Sequence, residues 1–127
     1  MKRVGEPIPT KYYLEYMKQY LLTLDLVDDP ALIEEYEAWH RAVWPEVQES
    51  ILSSGINRLS IYRSGNRLVM SMETSDDFSF DQKAVADALN PRVQEWETLM
   101  WKYQQRIPWA APGQKWVLMQ EIYTLQR

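Results

Sequence analysis

The sequence contains no cysteine, one histidine and only four glycines among its 127 residues. The absence of cysteine excludes disulfides, thiolate metal sites and a cysteine nucleophile, and it is consistent with a reducing compartment. There is no glycine-rich loop for phosphate or a dinucleotide, and one imidazole cannot form a histidine cluster for a metal. The sequence therefore predicts neither a metal nor a cofactor.

Long apolar runs are also missing, so no segment approaches the length of a membrane span and the N-terminus lacks a signal-peptide core. The net charge of −4 gives no electrostatic reason for a nucleic acid or an anionic membrane as partner. We therefore expect a cytoplasmic, single-domain protein. Six tryptophans and eight tyrosines are available for a core, an interface or a small-molecule pocket.

The periodicity of apolar residues predicts a strand over residues 20–26, followed by a helix that Asp29 caps and Pro30 begins. Pro45 interrupts this helix, since it lacks the N–H and clashes one turn back, so two helical segments are expected. A hairpin of residues 57–63 and 67–74 follows, with its tight turn at Gly65-Asn66. Next come a weak helix over residues 80–89, a strong one after Asn90-Pro91, and a last strand over residues 116–125.

The predicted order is β-α-β-β-α-β, the ferredoxin-like arrangement of the α+β class, with helices on one face of an antiparallel sheet. Residues 1–18 are expected to be an N-terminal extension, and residues 19–127 the folded domain. The other sheet face would be uncovered and apolar, and a homodimer packing sheet against sheet would cover it.

The stretch from Tyr36 to Glu46 contains the single histidine, His40. Tyr36 lies one helical turn before His40, so the phenol and the imidazole share a helix face. The ordinary interpretation is a histidine satisfied by neighbours in the core or at the surface. The functional one is a general acid, because the break at Pro45 puts His40 near a helix C-terminus, whose dipole favours a protonated imidazole.

Other candidates are less distinctive. Trp96 lies on an apolar helix stripe and is best explained as core, whereas Trp101 lies off it and is either exposed or turned into a pocket. Asp25, Glu73 and Glu121 lie within predicted strands. Each is a solvated side chain by default, or a general base on an inward face, and the sequence does not choose among them.

Several of these residues together resemble the L-rhamnose mutarotase family: Glu35-Tyr36, His40 and Trp44-Pro45-Glu46, then Gly55, Ile61-Tyr62, Trp101-Lys102-Tyr103 and Glu121-Ile122-Tyr123. The resemblance spans roughly residue 21 to the C-terminus. It implies a dimeric ferredoxin-like α/β-barrel that interconverts the α and β anomers of a 6-deoxy monosaccharide without a cofactor. The segment over residues 90–97 and the loop over residues 109–116 resemble an L-fucose branch of that family.

By this resemblance, His40 matches the family's proton donor and Tyr36 its substrate-binding tyrosine. The family's paired tryptophans fall on Met100 and Trp101, and a substrate-contacting tyrosine falls on Leu59. The lost indole and the lost phenol imply sugar contacts that differ from the rhamnose pattern, with Trp101 stacking on the sugar. An alternative alignment gives the missing indole's role to Trp96.

Two other functions are compatible with these sequence features. A cofactor-free monooxygenase can have the same dimeric fold with histidine, tyrosine and tryptophan around an aromatic substrate, and it would consume oxygen. A non-catalytic sugar-binding domain would bind sugar without changing the rate of anomerisation. The mutarotase interpretation is preferred because of the Tyr/His/Trp-Pro-Glu pattern.

Overall fold

Five strands and four helices follow one another in residues 17–127, the part of the chain that the computed structural model describes. In chain order they are β1 Met17–Leu26, α1 Pro30–His40, α2 Pro45–Ser53, β2 Ile56–Ser64, β3 Arg67–Ser75, α3 Phe80–Ala88, α4 Pro91–Trp101, β4 Gln104–Gln105 and β5 Val117–Leu118.

The strands form one antiparallel sheet in the order β2-β3-β1-β4, with β5 also pairing with β1. β1 lies opposite β3 over its length, so that Leu24 faces Leu68, and β3 lies opposite β2. This order, with α1 and α2 between β1 and β2 and α3 and α4 after β3, confirms the predicted ferredoxin-like α+β fold.

The predicted helix boundaries are confirmed at the capping residues. Asp29 Oδ1 accepts hydrogen bonds from the N–H groups of Ala31 and Leu32, at 2.9 and 3.1 Å. The helix ends at His40, and Pro45 begins α2, as expected for a residue that fits only the first turn of a helix. The break places His40 in the last turn of α1.

The end of the chain differs from the prediction. The last strand was expected over residues 116–125, but only Val117 and Leu118 pair, and the Met119 N–H adds one hydrogen bond to the Leu21 carbonyl at 2.7 Å. Residues 119–127 have no regular structure. A strand-like sequence forms a ladder only where a partner strand is available, so β-propensity overestimated this element. The short strand β4 was not predicted.

One sheet face packs against the helices and forms the core. Its central residues are Leu26 and Leu68 of the sheet with Tyr36, Trp96 and Met100 of the helices. A second cluster joins Leu22, Ile56 and Met72. Most apolar residues of the strands therefore lie at the alternate positions that face the helices.

The opposite face, predicted to be apolar, is of mixed character. Leu21 and Tyr62 are 39% and 62% exposed there, but Gln19 donates a hydrogen bond to Ser71 on the same face, and Thr23 is directed to the same side as Leu21. The prediction of an apolar face was wrong because strand side chains alternate between the two faces of a sheet. Strands whose leucines point into the core present the residues between those leucines on the other face.

Most of the predicted N-terminal extension lies outside the described residues, and that domain boundary stays a prediction. β1 begins at Met17. No helix within residues 17–127 is long and apolar enough to cross a membrane.

Candidate active site

A cavity of about 800 Å³ opens between the helices α1 and α2 and the strand β2. Its wall is apolar where the core reaches it and polar along α1 and β2. The apolar lining residues are Val43, Ile51, Leu52, Ile56, Leu59, Ile61 and Leu68. The remaining ones are Tyr36, Glu37, His40, Arg41, Gln48, Asn57, Arg58, Tyr62 and Arg63. An apolar cavity with a few convergent polar groups is the usual form of a small-molecule site.

His40 reaches this cavity from the last turn of α1, where it is half-buried. Its Nδ1 lies 2.8 Å from the main-chain carbonyl oxygen of Tyr36. A carbonyl oxygen only accepts hydrogen bonds, so this contact assigns the proton of the neutral imidazole to Nδ1. Nε2 is thus the ring nitrogen left to exchange a proton with a ligand.

Burial lowers the pKa of His40 below its ordinary value, and the hydrogen bond to the Tyr36 carbonyl only partly opposes this effect. The sequence had suggested the opposite direction, because a helix C-terminus favours the imidazolium. The desolvation of the ring outweighs that contribution here. His40 is therefore mainly neutral at pH 7, and its protonated form is a stronger acid than an exposed imidazolium.

Aromatic rings pack behind the half-buried imidazole. The indole of Trp96 lies edge-on to the imidazole at 5.6 Å between centroids, and Trp39 and Trp44 pack edge-on to Trp96. Trp96 is only 8% exposed and does not line the cavity. It forms the wall behind His40, as expected for a core residue.

Tyr36 lies beside His40 with 4.4 Å between ring centroids and is 3% exposed. Burial raises the pKa of Tyr36 to about 12, although a hydrogen bond with the Gln104 side chain acts in the opposite direction. The phenol thus keeps its proton at physiological pH. It can donate a hydrogen bond to a ligand, but it does not serve as a base.

The structure brings together three of the five residues predicted to form the site. Tyr36, His40 and Leu59 line the same cavity. Met100 is buried in the core at 4% exposure, and Trp101 is 43% exposed with the Lys115 ammonium 4.7 Å from its ring centre. Neither of the last two lines the cavity, so the stacking role of Trp101 stays a prediction.

The carboxylates considered as general bases lie elsewhere. Asp25 accepts hydrogen bonds from the Arg67 guanidinium at 2.8 and 3.2 Å, and neither Asp25 nor Glu73 lines the cavity. Glu121 belongs to the exposed terminal segment. Within residues 17–127, no three side chains of metal-binding type lie close enough together to hold an ion.

Sequence reasoning missed an ion pair at the cavity. Glu37 lies next to Tyr36 on α1, and its Oε1 accepts a hydrogen bond from Arg63 Nε of β2. The available signal was the spacing of three residues between Glu37 and His40, which brings both side chains to one side of a helix. Nothing in the sequence indicated that Arg63 would face them across the cavity.

The chain is similar to known mutarotases. A family model described as L-rhamnose mutarotase matches residues 19–125. A protein of Xanthomonas campestris pv. campestris named L-fucose mutarotase is 49% identical over 111 residues, covering 86% of this chain and 89% of that protein. A UPF0734 protein of Dictyostelium discoideum is 40% identical over 113 residues, covering 85% and 90%.

Two solved structures share the fold. An L-rhamnose mutarotase of Formosa agariphila superposes with a TM-score of 0.64 at 19% identity, covering 86% of this chain and 99% of that one. Tetracenomycin F2 cyclase of Streptomyces glaucescens gives a TM-score of 0.61 at 20% identity, covering 87% and 98%. At 19% and 20% identity these similarities concern the fold alone, and one fold can support unrelated activities.

Proposed function

Because the chain belongs to the L-rhamnose mutarotase family, and is thus a sugar mutarotase of the isomerase class, we propose that it interconverts the α and β anomers of L-fucose. L-Rhamnose is the second candidate. The observation that carries the proposal is the cavity in which His40 and Tyr36 line one side and apolar residues of β2 the other. The 49% identical relative named L-fucose mutarotase supports the choice of sugar.

The mixed apolar and polar surface of a 6-deoxy sugar matches the lining of this cavity. Such a sugar has hydroxyl groups along most of its ring and a methyl group where common hexoses have a hydroxymethyl group. Leu59 and Ile61 of β2 and Ile51 of α2 offer an apolar surface to the methyl group and to the C–H face of the ring. A sugar with a hydroxyl at that position would lose hydrogen bonds to water there.

His40 acts as the general acid of the reaction. Its protonated Nε2 donates a proton to the ring oxygen, the bond between that oxygen and the anomeric carbon breaks, and the anomeric hydroxyl loses its proton as the aldehyde forms. Rotation about the C1–C2 bond and the reverse steps give the other anomer. Proton transfer by a well-placed group contributes about 10²- to 10⁴-fold in rate.

Tyr36 orients the sugar. With its pKa raised to about 12, the phenol is a permanent hydrogen-bond donor beside the imidazole. It donates to a sugar hydroxyl and so fixes the ring oxygen relative to His40.

The active species is proposed to be a homodimer. Three apolar side chains of the terminal segment, Ile122, Tyr123 and Leu125, are 90%, 75% and 80% exposed in one chain, and a second copy would cover them. Light scattering should give about twice the chain mass of 15.1 kDa. Ile122→Glu should shift the molecule toward the mass of one chain, and a single-chain mass for the unmodified protein would contradict this assignment.

Saturation-transfer NMR at the anomeric protons of L-fucose and L-rhamnose tests the reaction. We expect the protein to accelerate exchange between the two anomers, more strongly for L-fucose, and His40→Gln to reduce this acceleration at least about 100-fold. Circular dichroism of the variant checks that it is folded. Unchanged exchange in both sugars would contradict the substrate proposal, and full activity of His40→Gln would contradict the role of the imidazole.

A further inference from the structure

We propose that Glu37 is the second proton-transfer group of this enzyme, taking the proton of the anomeric hydroxyl while His40 protonates the ring oxygen, and that Arg63 positions it. The inference rests on the proposed mutarotase reaction at this cavity. It assigns the base, which neither the sequence nor the family resemblance identified.

The composition of the cavity points to Glu37. Among the described residues that line it, Glu37 carries the only carboxylate. Ring opening needs a group that accepts a proton from a hydroxyl, and an ionised carboxylate is an acceptor at neutral pH. The phenol of Tyr36 cannot take this role, because burial raises its pKa to about 12 and it already holds its proton.

The positions of Glu37 and His40 on α1 match the geometry of the reaction. The ring oxygen and the anomeric hydroxyl oxygen are bonded to the same carbon, so the acid and the base must lie near each other. Side chains three residues apart on a helix have Cβ atoms about 5–6 Å apart. A sugar ring seated against β2 can therefore present one oxygen to His40 and the other to Glu37.

Arg63 holds the Glu37 carboxylate through one of its two oxygens. Its Nε donates to Glu37 Oε1, and its Nη1 donates to the Gly65 carbonyl in the hairpin turn at 2.9 Å. The guanidinium is thus attached to the turn between β2 and β3. No described residue donates a hydrogen bond to Glu37 Oε2, which leaves that oxygen for a substrate hydroxyl.

The ion pair of Arg63 and Glu37 is partly exposed, as a proton-transfer group at the opening of the cavity must be. The Arg63 and Glu37 side chains are 37% and 40% exposed, so a sugar can reach the carboxylate and solvent can exchange its proton. The other titratable residues that line the cavity are Tyr36, His40 and Arg41 of α1 and its flank, and Arg58, Tyr62 and Arg63 of β2.

The proton transfers balance over the cycle. In the opening step the imidazolium gives its proton to the ring oxygen, the C1–O5 bond breaks, and the electrons of the O1–H bond form the carbonyl as the proton passes to Glu37. In the closing step Glu37 returns a proton to O1, the new C1–O5 bond forms, and the O5 hydroxyl proton returns to His40. The enzyme ends in its starting protonation state, and no further reactant is needed.

Glu37→Gln tests this assignment. The matched control is Glu34→Gln, which changes an exposed glutamate of the same helix that does not line the cavity. Anomer exchange should be measured against L-fucose concentration by NMR for both variants and the unmodified protein. We expect Glu37→Gln to lower kcat at least about 100-fold with KM within threefold, and Glu37→Asp to recover part of the loss. Glu34→Gln should behave as the unmodified protein.

A change confined to KM in Glu37→Gln would make Glu37 a binding residue and overturn the proposal, as would a kcat within twofold of the unmodified protein. If the unmodified protein itself accelerates no anomer exchange, the proposed function fails instead. The two failures are therefore distinguishable.

A double-mutant cycle tests the part assigned to Arg63. Arg63→Met should lower kcat less than Glu37→Gln does, and combining the two changes should cause no loss beyond that of Glu37→Gln alone, because Arg63 acts through the carboxylate. Losses that multiply in the double variant would show an independent role for Arg63 and overturn its positioning role.

Discussion

The Nδ1 of His40 donates a hydrogen bond, 2.8 Å long, to the main-chain carbonyl oxygen of Tyr36, the residue one helical turn earlier. The same two residues also pack ring against ring, at 4.4 Å between centroids. One helical turn therefore fixes the tautomer of the histidine and the position of the phenol beside it. The catalytic assignment of Nε2 depends on this contact.

The first prediction concerns the protonation of His40. Burial lowers its pKa, so a ¹H NMR titration of the imidazole should show a midpoint below the ordinary value of about 6.5. The sequence contains a single histidine, so the signal is unambiguous in protein without an affinity tag. A midpoint at or above 6.5 would mean that the helix C-terminus, and not the aromatic wall, dominates the environment.

The same pKa shift makes stability depend on pH. The unfolded chain binds a proton at residue 40 more readily than the folded one, so the free energy of unfolding should fall as pH drops from 6.5 toward the folded-state pKa of His40. Urea unfolding at several pH values measures this. His40→Gln should remove that part of the pH dependence, and an identical slope in the variant would contradict the prediction.

The cap of α1 is predicted to contribute stability without affecting the reaction. Asp29→Ala removes the acceptor of two helix N–H groups and should lower the free energy of unfolding by about 1 kcal/mol. The neighbouring, exposed Asp28 makes no such bond, and Asp28→Ala is the matched control. Anomer exchange should stay within twofold of the unmodified protein in both variants, because neither residue lines the cavity.

Asp25 is predicted to be structural. Asp25 is 7% exposed, its carboxylate accepts two hydrogen bonds from Arg67, and the pairing raises the pKa of Arg67. Asp25→Asn should lower the free energy of unfolding by about 1–3 kcal/mol, as expected for hydrogen bonds to a charged group. The rate of anomer exchange should be retained. A loss of rate in a folded variant would restore Asp25 as a candidate base.

Trp101 offers a test of the sugar contacts. It lies outside the cavity of one chain, so its exposure and the Lys115 contact predict that Trp101→Ala keeps KM for L-fucose within twofold. Trp109→Ala, which changes another exposed tryptophan outside the cavity, is the control. A large rise of KM confined to Trp101→Ala would show that the sugar reaches this indole, as the family resemblance implies.

Much of the fold could be predicted from local sequence signals. The Asp29-Pro30 and Asn90-Pro91 pairs begin helices, Pro45 divides α1 from α2, and Gly65 adopts the positive φ of 58° that the hairpin turn needs. Each signal depends on backbone chemistry within a few residues. The final strand could not be predicted in this way, because its length depends on the partner available beside it.

The site was predictable only in part, because some of its contacts are made within one helix and others between separate elements. The helical spacing of Tyr36 and His40 determined that they meet, and it also placed Glu37 near them. The apolar stripe of α4 already favoured a core position for Met100 and left Trp101 either exposed or turned into a pocket. Only the packing of α4 decided that Trp101 is exposed outside the cavity.

The sequence by itself determined the order of the elements from β1 to α4, the break that leaves His40 in the last turn of α1, and the family to which the chain belongs. These depend on short-range periodicity, on capping residues and on a motif of twelve consecutive positions that runs from α1 into the start of α2. Only the tertiary structure decided the direction of the His40 pKa shift, because the desolvating ring of Trp96 comes from a helix 56 positions further along the chain. It also decided that Arg63 of β2 faces Glu37 of α1, since a contact between separate elements depends on how they pack and not on the spacing within either one.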